Sequence, residues 1–235
     1  MGKQERRGPE RVEPLATEVL ENLQGFPEAG EIVLGGYFAL KRYVDYRTTH
    51  DLDAWWKTGR TERTMVCIRR VMNAVAQRHG LALSEREWGD TASFELSENK
   101  QKIFSFQIAL RSVELEAAEP SAWKPVLIES LADTVGGKMN ALVQRGAPRD
   151  FLDIRELVTR GVVSAEHCWE WWSRKNPAVE VMQARAQALR LLEELEQRRP
   201  LDTINDLSER AAASSAREWI RRILLQVPAN TDDDA

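Results

Sequence analysis

The sequence predicts an α+β fold: a mixed β-sheet with flanking helices in the front half, followed by a helical bundle in the rear half. Three observations predict it. Short apolar or alternating runs, EIVLGG at 31–36, HDLDAWW at 50–56, TASFELS and KIFSFQIAL, are interleaved with helical patterns. The segment EAAEPSAWKP, 116–125, carries two prolines and marks a change of regime. Beyond it every strong pattern is helical, over 126–144, 148–160, 164–174, 178–198 and 206–227. The expected division is therefore an α/β domain over 13–120 and a helical domain over 121–228, with 1–12 and 229–235 as flexible termini.

Each element has its own reason. Leu15, Val19, Leu20 and Leu23 recur at helical spacing, which predicts a helix from Pro14 to Leu23. EIVLGG reads as a buried strand running into a tight turn, YFALKRYVDYR (37–47) as a helix, and HDLDAWW as a second strand with Trp55 and Trp56 on opposite faces. Over 61–80, Met65, Ile68, Met72, Val75 and Ala76 share one helical face, and Gly80 stands where a helix stops. TASFELS and KIFSFQIAL, joined by ENKQ, form an antiparallel hairpin. In the rear half, Val179, Met182, Ala186, Leu189 and Leu192 give the helix over 178–198 a packing face, for this chain or a partner. CWEWWSRK (168–175) reads first as core and second as a platform for a nucleobase. No internal repeat is present.

Composition excludes several classes. Of the 235 residues 43% are hydrophobic and 30% charged, and the net charge of −4 argues against a general polyanion-coating role. The two cysteines, Cys67 and Cys168, have no partner at ligand spacing, so neither a disulfide framework nor a zinc site is expected. No apolar run has the length of a membrane span, and the charged start lacks an apolar core; a cytoplasmic protein with no membrane partner is expected. Gly2 does not signal myristoylation, because position 6 is Arg.

The chemistry is concentrated in two segments. On a strand, Asp51 and Asp53 point to the same face, where like charges repel unless a cation sits between them. A divalent metal supplies that cation: Mg²⁺ takes a few carboxylates together with substrate phosphate oxygens. The preceding Gly35 and Gly36 allow backbone N–H groups to approach those phosphates. The plainer alternatives are that Asp51 caps a helix, that Asp53 is a solvated edge residue and that the glycines only turn the chain. His50 points to the opposite face and reads as structural. Arg47, Arg42 and Lys41 lie near the glycine turn, where they meet phosphates or simply solvent. In the second segment, GGKMNALVQRGAPRDFLDIREL (136–157), Lys138 falls within an otherwise apolar helix and is long enough to reach a triphosphate, while Asp150 and Asp153 share one face of the next helix.

Together the two segments resemble a known family. LGGYFALKRYVDYRTTHDLDAWW looks like the glycine-turn and D-x-D motif of the minimal nucleotidyltransferases of the polymerase-β-like superfamily. GGKMNALVQRGAPRDFLDIREL is similar to the signature that follows it in the AbiEii/AbiGii toxin family. The resemblance covers roughly residues 30 to 160. It implies a nucleotidyltransferase-like sheet, Mg²⁺ as cofactor bound by Asp51 and Asp53, and phosphates held at Gly35 and Gly36. It further implies that Lys138 contacts the nucleotide, that Asp150 and Asp153 complete or brace the pocket, and that the substrate is a nucleoside triphosphate. Transfer of NMP to an RNA, notably a tRNA end, or to a protein follows, as does a cognate antitoxin and a role in abortive infection.

This sequence departs from the pattern at Gly36, where many relatives have Ser. It also lacks a third carboxylate in FSFQIAL, whose inward positions offer Ser105 or Gln107; Glu95 on the paired strand or Glu114 just beyond is the candidate to stand in for it. Two other readings therefore stand beside the transferase: a nucleotide-binding homologue without turnover, and a helical interaction scaffold.

Overall fold

The computed structural model describes residues 14–111 and 113–226; the termini expected to be flexible, 1–12 and 229–235, lie outside the described residues. The chain divides into two compact units between Thr134 and Val135.

The first unit is built from strands β1 (Ile32–Leu34), β2 (Asp51–Trp56), β3 (Ala82–Trp88), β4 (Thr91–Glu98), β5 (Gln101–Leu110), β6 (Glu119–Pro120) and β7 (Leu127–Ile128). They form one mixed sheet in the order β3-β4-β5-β2-β1-β7-β6. β2 runs parallel to β5 and β1 parallel to β7; the other pairs are antiparallel. Its helices are α1 (Pro14–Leu23), the short α2 (Gly36–Leu40) and α3 (Glu62–His79). Val19, Leu20 and Leu23 of α1 and Met65, Ile68, Met72 and Val75 of α3 bury the expected faces against Leu52, Phe94 and Phe106 of the sheet. Each such side chain contributes about 1.5–3 kcal/mol by leaving water. Thr61 caps α3 by accepting the Thr64 N–H, and Gly80 ends it in the left-handed conformation, so the expected boundaries hold. The β4–β5 hairpin is closed by Asn99 and Lys100, both at positive φ, the geometry of a two-residue turn that matches strand twist.

Two expectations are corrected and one strand is added. The helix read over 37–47 ends at Leu40, because the Tyr37 hydroxyl collects the N–H groups of Tyr46 and Arg47 and bends the chain back. The helix read over 126–144 divides into β7 and α4 (Leu131–Arg145). Leu127 pairs with Val33 of β1, and the helix starts only after Ser130, whose Oγ accepts the Asp133 N–H. β3 is an additional strand. Its Glu85 and Glu87 pair with Arg69 of α3, so its inward positions are charged and carry no apolar alternation.

The second unit contains the remainder of α4 with α5 (Pro148–Thr159), α6 (Ala165–Lys175), α7 (Val181–Arg198) and α8 (Leu207–Trp219), which runs into a π-turn at Ile220–Leu224. Within CWEWWSRK, Trp169 and Trp172 are core: they pack edge to face, and Trp169 Nε1 donates to the Leu224 carbonyl. On α7 the buried stripe is Ala184, Ala188 and Leu192, while Val179 and Met182 are exposed, so the packing face is rotated from the expected one. Cys168 in this unit and Cys67 in the first are buried and unbonded, and burial pushes their thiols up to about 12 and about 11.

Candidate active site

The sheet places β2 between β1 and β5, with alternate residues facing opposite ways. Leu52, Ala54 and Trp56 are buried in the core, whereas Asp51, Asp53 and Trp55 are half-buried on the other, open face. The two carboxylates thus share one face of a strand.

The glycine turn lies against Asp53. Gly35 donates its N–H to the Asp53 carbonyl at 2.9 Å, which continues the β1–β2 ladder into the turn. Gly36 then adopts φ +58°, in the left-handed region. A Cβ there would lie 2.8 Å from Asp53 Cβ and 2.9 Å from Cγ, and closest of all to Oδ2. The Asp53 side chain occupies the space that a side chain at 36 would need.

Asp51 has partners from β5. Ser105, directly across the parallel ladder, donates from Oγ to Asp51 Oδ1 at 2.6 Å, and Lys102 Nζ stands 3.0 Å from the same oxygen. Lys102 reaches this face through a β-bulge: Ser97 pairs with Lys102 but Leu96 pairs with Phe104, so Ile103 is skipped and Lys102 is turned toward Asp51.

The neighbours of the aspartates follow from the register. Asp51 is opposite Ser105, which is opposite Glu95 on β4; Asp53 is opposite Gln107, which is opposite Ser93. Ser105 and Gln107 therefore hold the positions adjacent to the aspartates, and Glu95 lies two strands from Asp51. Glu114 pairs with Arg111 and accepts the Ala118 N–H. A further carboxylate, not singled out in the sequence, sits on the other side. Glu129 follows β7, donates its N–H to the Leu34 carbonyl, and is 4% exposed. Its Oε2 lies 2.9 Å from the position of a Cβ on Gly35, so Gly35 separates Asp53 from Glu129 in one row across β2, β1 and β7. Trp55 Nε1, buried and without a hydrogen-bond partner among the described residues, crowds the same point. Only the neighbouring EIVLGG run hinted at this, and it does not name a parallel partner.

The second segment forms its own cluster in the second unit. Lys138 Nζ lies 2.7 Å from Asp153 Oδ2, with Asp153 fully buried. Arg145 embraces Asp150 through two hydrogen bonds of 2.8 Å, and Asp150 is also fully buried. Gly136 leaves room for the stem of Lys175, whose Cδ and Cε would be 2.8 Å from a Cβ at that position. Both aspartates thus hold cations of α4, and Lys138 keeps its ammonium at a fixed place on that helix.

A family model described as nucleotidyl transferase AbiEii toxin, type IV toxin–antitoxin system, matches residues 18–234. The chain belongs to this family. No curated protein matches it. AbiEii membership makes nucleotidyl transfer the general activity and a nucleoside triphosphate the substrate class, and it places the chain on the toxin side of a toxin–antitoxin pair. The mixed sheet followed by helices agrees with the α+β fold expected from the sequence. Among the described residues no helix is long and apolar enough to cross a membrane.

The donor set of this AbiEii member fits a divalent ion of the Mg²⁺ type. Among the described residues no three His, Cys, Asp or Glu side chains gather as a closed cage. Mg²⁺ does not need one: it keeps several waters and is held by one or two carboxylates with substrate phosphates. Asp51, with 36% of its side chain exposed, and half-buried Asp53 offer that arrangement.

The nearby cations are organised by the fold. Arg42 pairs with Glu119 at 2.8 Å and donates to the Glu129 carbonyl. The Arg47 guanidinium stacks 3.6 Å above the Tyr37 ring, while the Tyr37 hydroxyl donates to the Arg47 carbonyl at 2.7 Å. Burial raises the Tyr37 hydroxyl above its ordinary pKa, so it remains a neutral donor at physiological pH.

Proposed function

We propose that this AbiEii member is an Mg²⁺-dependent nucleotidyltransferase that moves NMP from an NTP to an RNA, such as a tRNA end, or to a protein. The observation that carries the reading is the placement of Asp51 and Asp53 on one open strand face with Asp53 packed on the Gly36 turn. In the reaction an acceptor hydroxyl attacks the α-phosphorus, the bond to the β-phosphate breaks, and pyrophosphate leaves with the electron pair. Bound at Asp51 and Asp53, the ion supplies neutralisation of the charge that builds on the transferred phosphoryl group.

The chain's own groups do the remaining work. Asp51 is held in place by the Ser105 hydroxyl, and Asp53 by the glycine turn. The family resemblance supports the Gly35–Gly36 turn as the phosphate side of the site; the Gly35 N–H itself is taken by the Asp53 carbonyl, and Gly36 makes room for the Asp53 side chain. The family resemblance supports Lys138 as a contact to the nucleotide; its ion pair with Asp153 fixes the ammonium, and Asp150 braces the end of the same helix through Arg145. The protein acts in the cytoplasm, where NTPs and RNA are present, and a cognate antitoxin opposes it.

A second reading has one specific observation in its favour. Ser105 and Gln107 stand beside the aspartates where a third carboxylate is expected, which suits a nucleotide-binding module without turnover.

The deciding experiment incubates the protein, and its Asp51→Asn, Asp53→Asn double variant, with each α-labelled NTP, Mg²⁺ and total tRNA. Label on RNA or protein that requires both aspartates supports the transferase. NTP affinity without label supports the binding module, and no NTP affinity at all overturns both.

A further inference from the structure

A triphosphate brings more negative charge to the glycine turn than one divalent ion neutralises. The turn's own backbone answers little of it. The Gly35 N–H is taken by the Asp53 carbonyl, and α2 has five residues, few aligned peptides for a helix dipole. Side-chain cations have to supply the rest.

The cations of this unit near the site differ in what holds them. Arg42 pairs with Glu119 and donates to the Glu129 carbonyl. Arg111 meets Asp133 and Glu114, with the Glu129 carboxylate 3.8 Å away. Lys102 pairs with Asp51. Lys41 is buried, its Nζ 5.5 Å from the centre of the Tyr37 ring. Arg47 is held against aromatic faces: its guanidinium carbon lies 3.6 Å from the centre of the Tyr37 ring and 5.9 Å from that of Tyr46. Its Nη1 donates to the carbonyl of the next residue, Thr48, at 3.3 Å. A stack occupies the face of the planar ion, whereas its N–H donors lie in the plane and match phosphate oxygens two at a time.

The backbone of Arg47 is fixed from the same residue. Tyr37 follows Gly36 directly and is 3% exposed. Its hydroxyl accepts the N–H groups of Arg47 at 2.9 Å and Tyr46 at 3.3 Å and donates to the Arg47 carbonyl at 2.7 Å. One side chain thus anchors both the main chain and the guanidinium of Arg47 beside the turn that packs on Asp53.

We propose that Arg47 contacts the β- and γ-phosphates of the NTP and takes up the charge of the departing pyrophosphate, with Tyr37 as its positioning residue. The assignment rests on the transferase reading above and adds to it the groups that serve the leaving side. When the bond from the α-phosphorus to the bridging oxygen breaks, the electron pair stays with pyrophosphate. A guanidinium fixed in advance stabilises that charge without reorganising. Asp45, on the same loop, acts on the Tyr37 hydroxyl in the opposite sense to Arg47, so the local positive charge is partly offset and leaves room for release of the product.

The test measures by calorimetry, in Mg²⁺, the affinity of the full chain and of its Arg47→Gln and Arg47→Lys variants for the four NTPs, the matching NMPs and inorganic pyrophosphate. Label transfer from α-labelled NTP is followed on the same samples, and far-UV circular dichroism checks that each variant is folded. Arg47→Gln is expected to weaken NTP and pyrophosphate on the order of tenfold or more and to leave NMP within about twofold. Arg47→Lys recovers part of the loss, because it keeps the charge without the fork. Tyr37→Phe keeps the ring and removes the hydroxyl; it weakens NTP several-fold in the parent and not in the Arg47→Gln background, a coupling that general destabilisation does not produce. Equal losses in both backgrounds overturn the role of Tyr37. NTP affinity unchanged in Arg47→Gln, or NTP and NMP weakened alike, overturns the assignment of Arg47 and leaves the transferase reading standing. Affinity that depends on Arg47 in a parent that transfers no label keeps the assignment and overturns the transferase reading instead. A parent with affinity for neither NTP nor pyrophosphate overturns both.

Discussion

Replacing Gly36 by Ala tests the link between the glycine turn and Asp53 with a single methyl group. Two costs follow from the geometry. At φ +58° an alanine pays the left-handed penalty of about 1–2 kcal/mol. Its Cβ also falls 2.8 and 2.9 Å from Asp53 Cβ and Cγ. Carbon atoms favour about 3.5–4.0 Å, so the Asp53 side chain must withdraw by about 1 Å. A displacement of that size in a reacting array costs on the order of 100-fold in rate. Urea unfolding is expected to show a loss of about 1–3 kcal/mol, within what a folded domain tolerates. Label transfer from α-labelled NTP, at saturating substrate and a temperature where the variant is folded, is expected to fall about 100-fold.

The matched control is Gly137→Ala. Gly137 lies inside α4 with nothing within 4 Å of an added Cβ, so the same methyl stabilises the helix by about 0.5–1 kcal/mol. Opposite signs for one chemical change separate the local geometry from the generic effect of losing a glycine. Transfer by Gly36→Ala within about threefold of the parent would refute the reasoning, because Asp53 would then work from a displaced position.

Three further outcomes are expected. Lys102→Met removes a cation that would compete with the proposed ion for Asp51; because an exposed pair is worth about 0.2–1 kcal/mol, the Mg²⁺ concentration for half-maximal transfer is expected to fall up to about fivefold in a metal titration. Arg111→Leu leaves Asp133, which is fully buried, without its guanidinium at 2.9 Å, a loss of about 3–5 kcal/mol in urea unfolding. The Ser130 hydroxyl and the Leu115 and Glu116 N–H groups still serve Asp133 and hold the loss at the lower end. Neither thiol reacts with a disulfide reagent at pH 8 until the protein is unfolded, when both do. Because burial raises both thiols, the folded state favours their neutral form; that stability is whole below the unfolded value near 9 and is lost as pH rises through about 11 and about 12.

Elements whose stabilisation is local were legible. α1, α3 and the β4–β5 hairpin carry periodic apolar faces, and α3 and the hairpin add their own cap and turn residues, so a window of the sequence contains the reason for each. β3 was hidden because its inward glutamates are satisfied by Arg69 of α3, a partner remote from any alternation. β7 was hidden because Val126, Leu127 and Ile128 are equally at home at the start of a helix; only the parallel pairing with β1 decides. The shared face of Asp51 and Asp53 followed from alternation alone. Glu129 did not, since its approach to Gly35 depends on that same parallel pairing, which no spacing announces.

The charge that two side-by-side carboxylates demand has a provisional source within the chain. The bulge at Ile103 turns Lys102 onto Asp51, and Ser105 fixes the accepting oxygen from the other side. Lys102 has 48% of its side chain exposed, so its pair with Asp51 is screened and weak. A divalent ion shared with phosphate oxygens displaces such a partner readily, whereas a buried lysine would hold the carboxylate permanently. Contrast Lys138, whose side chain is 11% exposed and whose acidic partner is completely buried. One lysine is arranged to yield its carboxylate to the proposed ion, and the other to stay as a fixed ion pair within the helical unit.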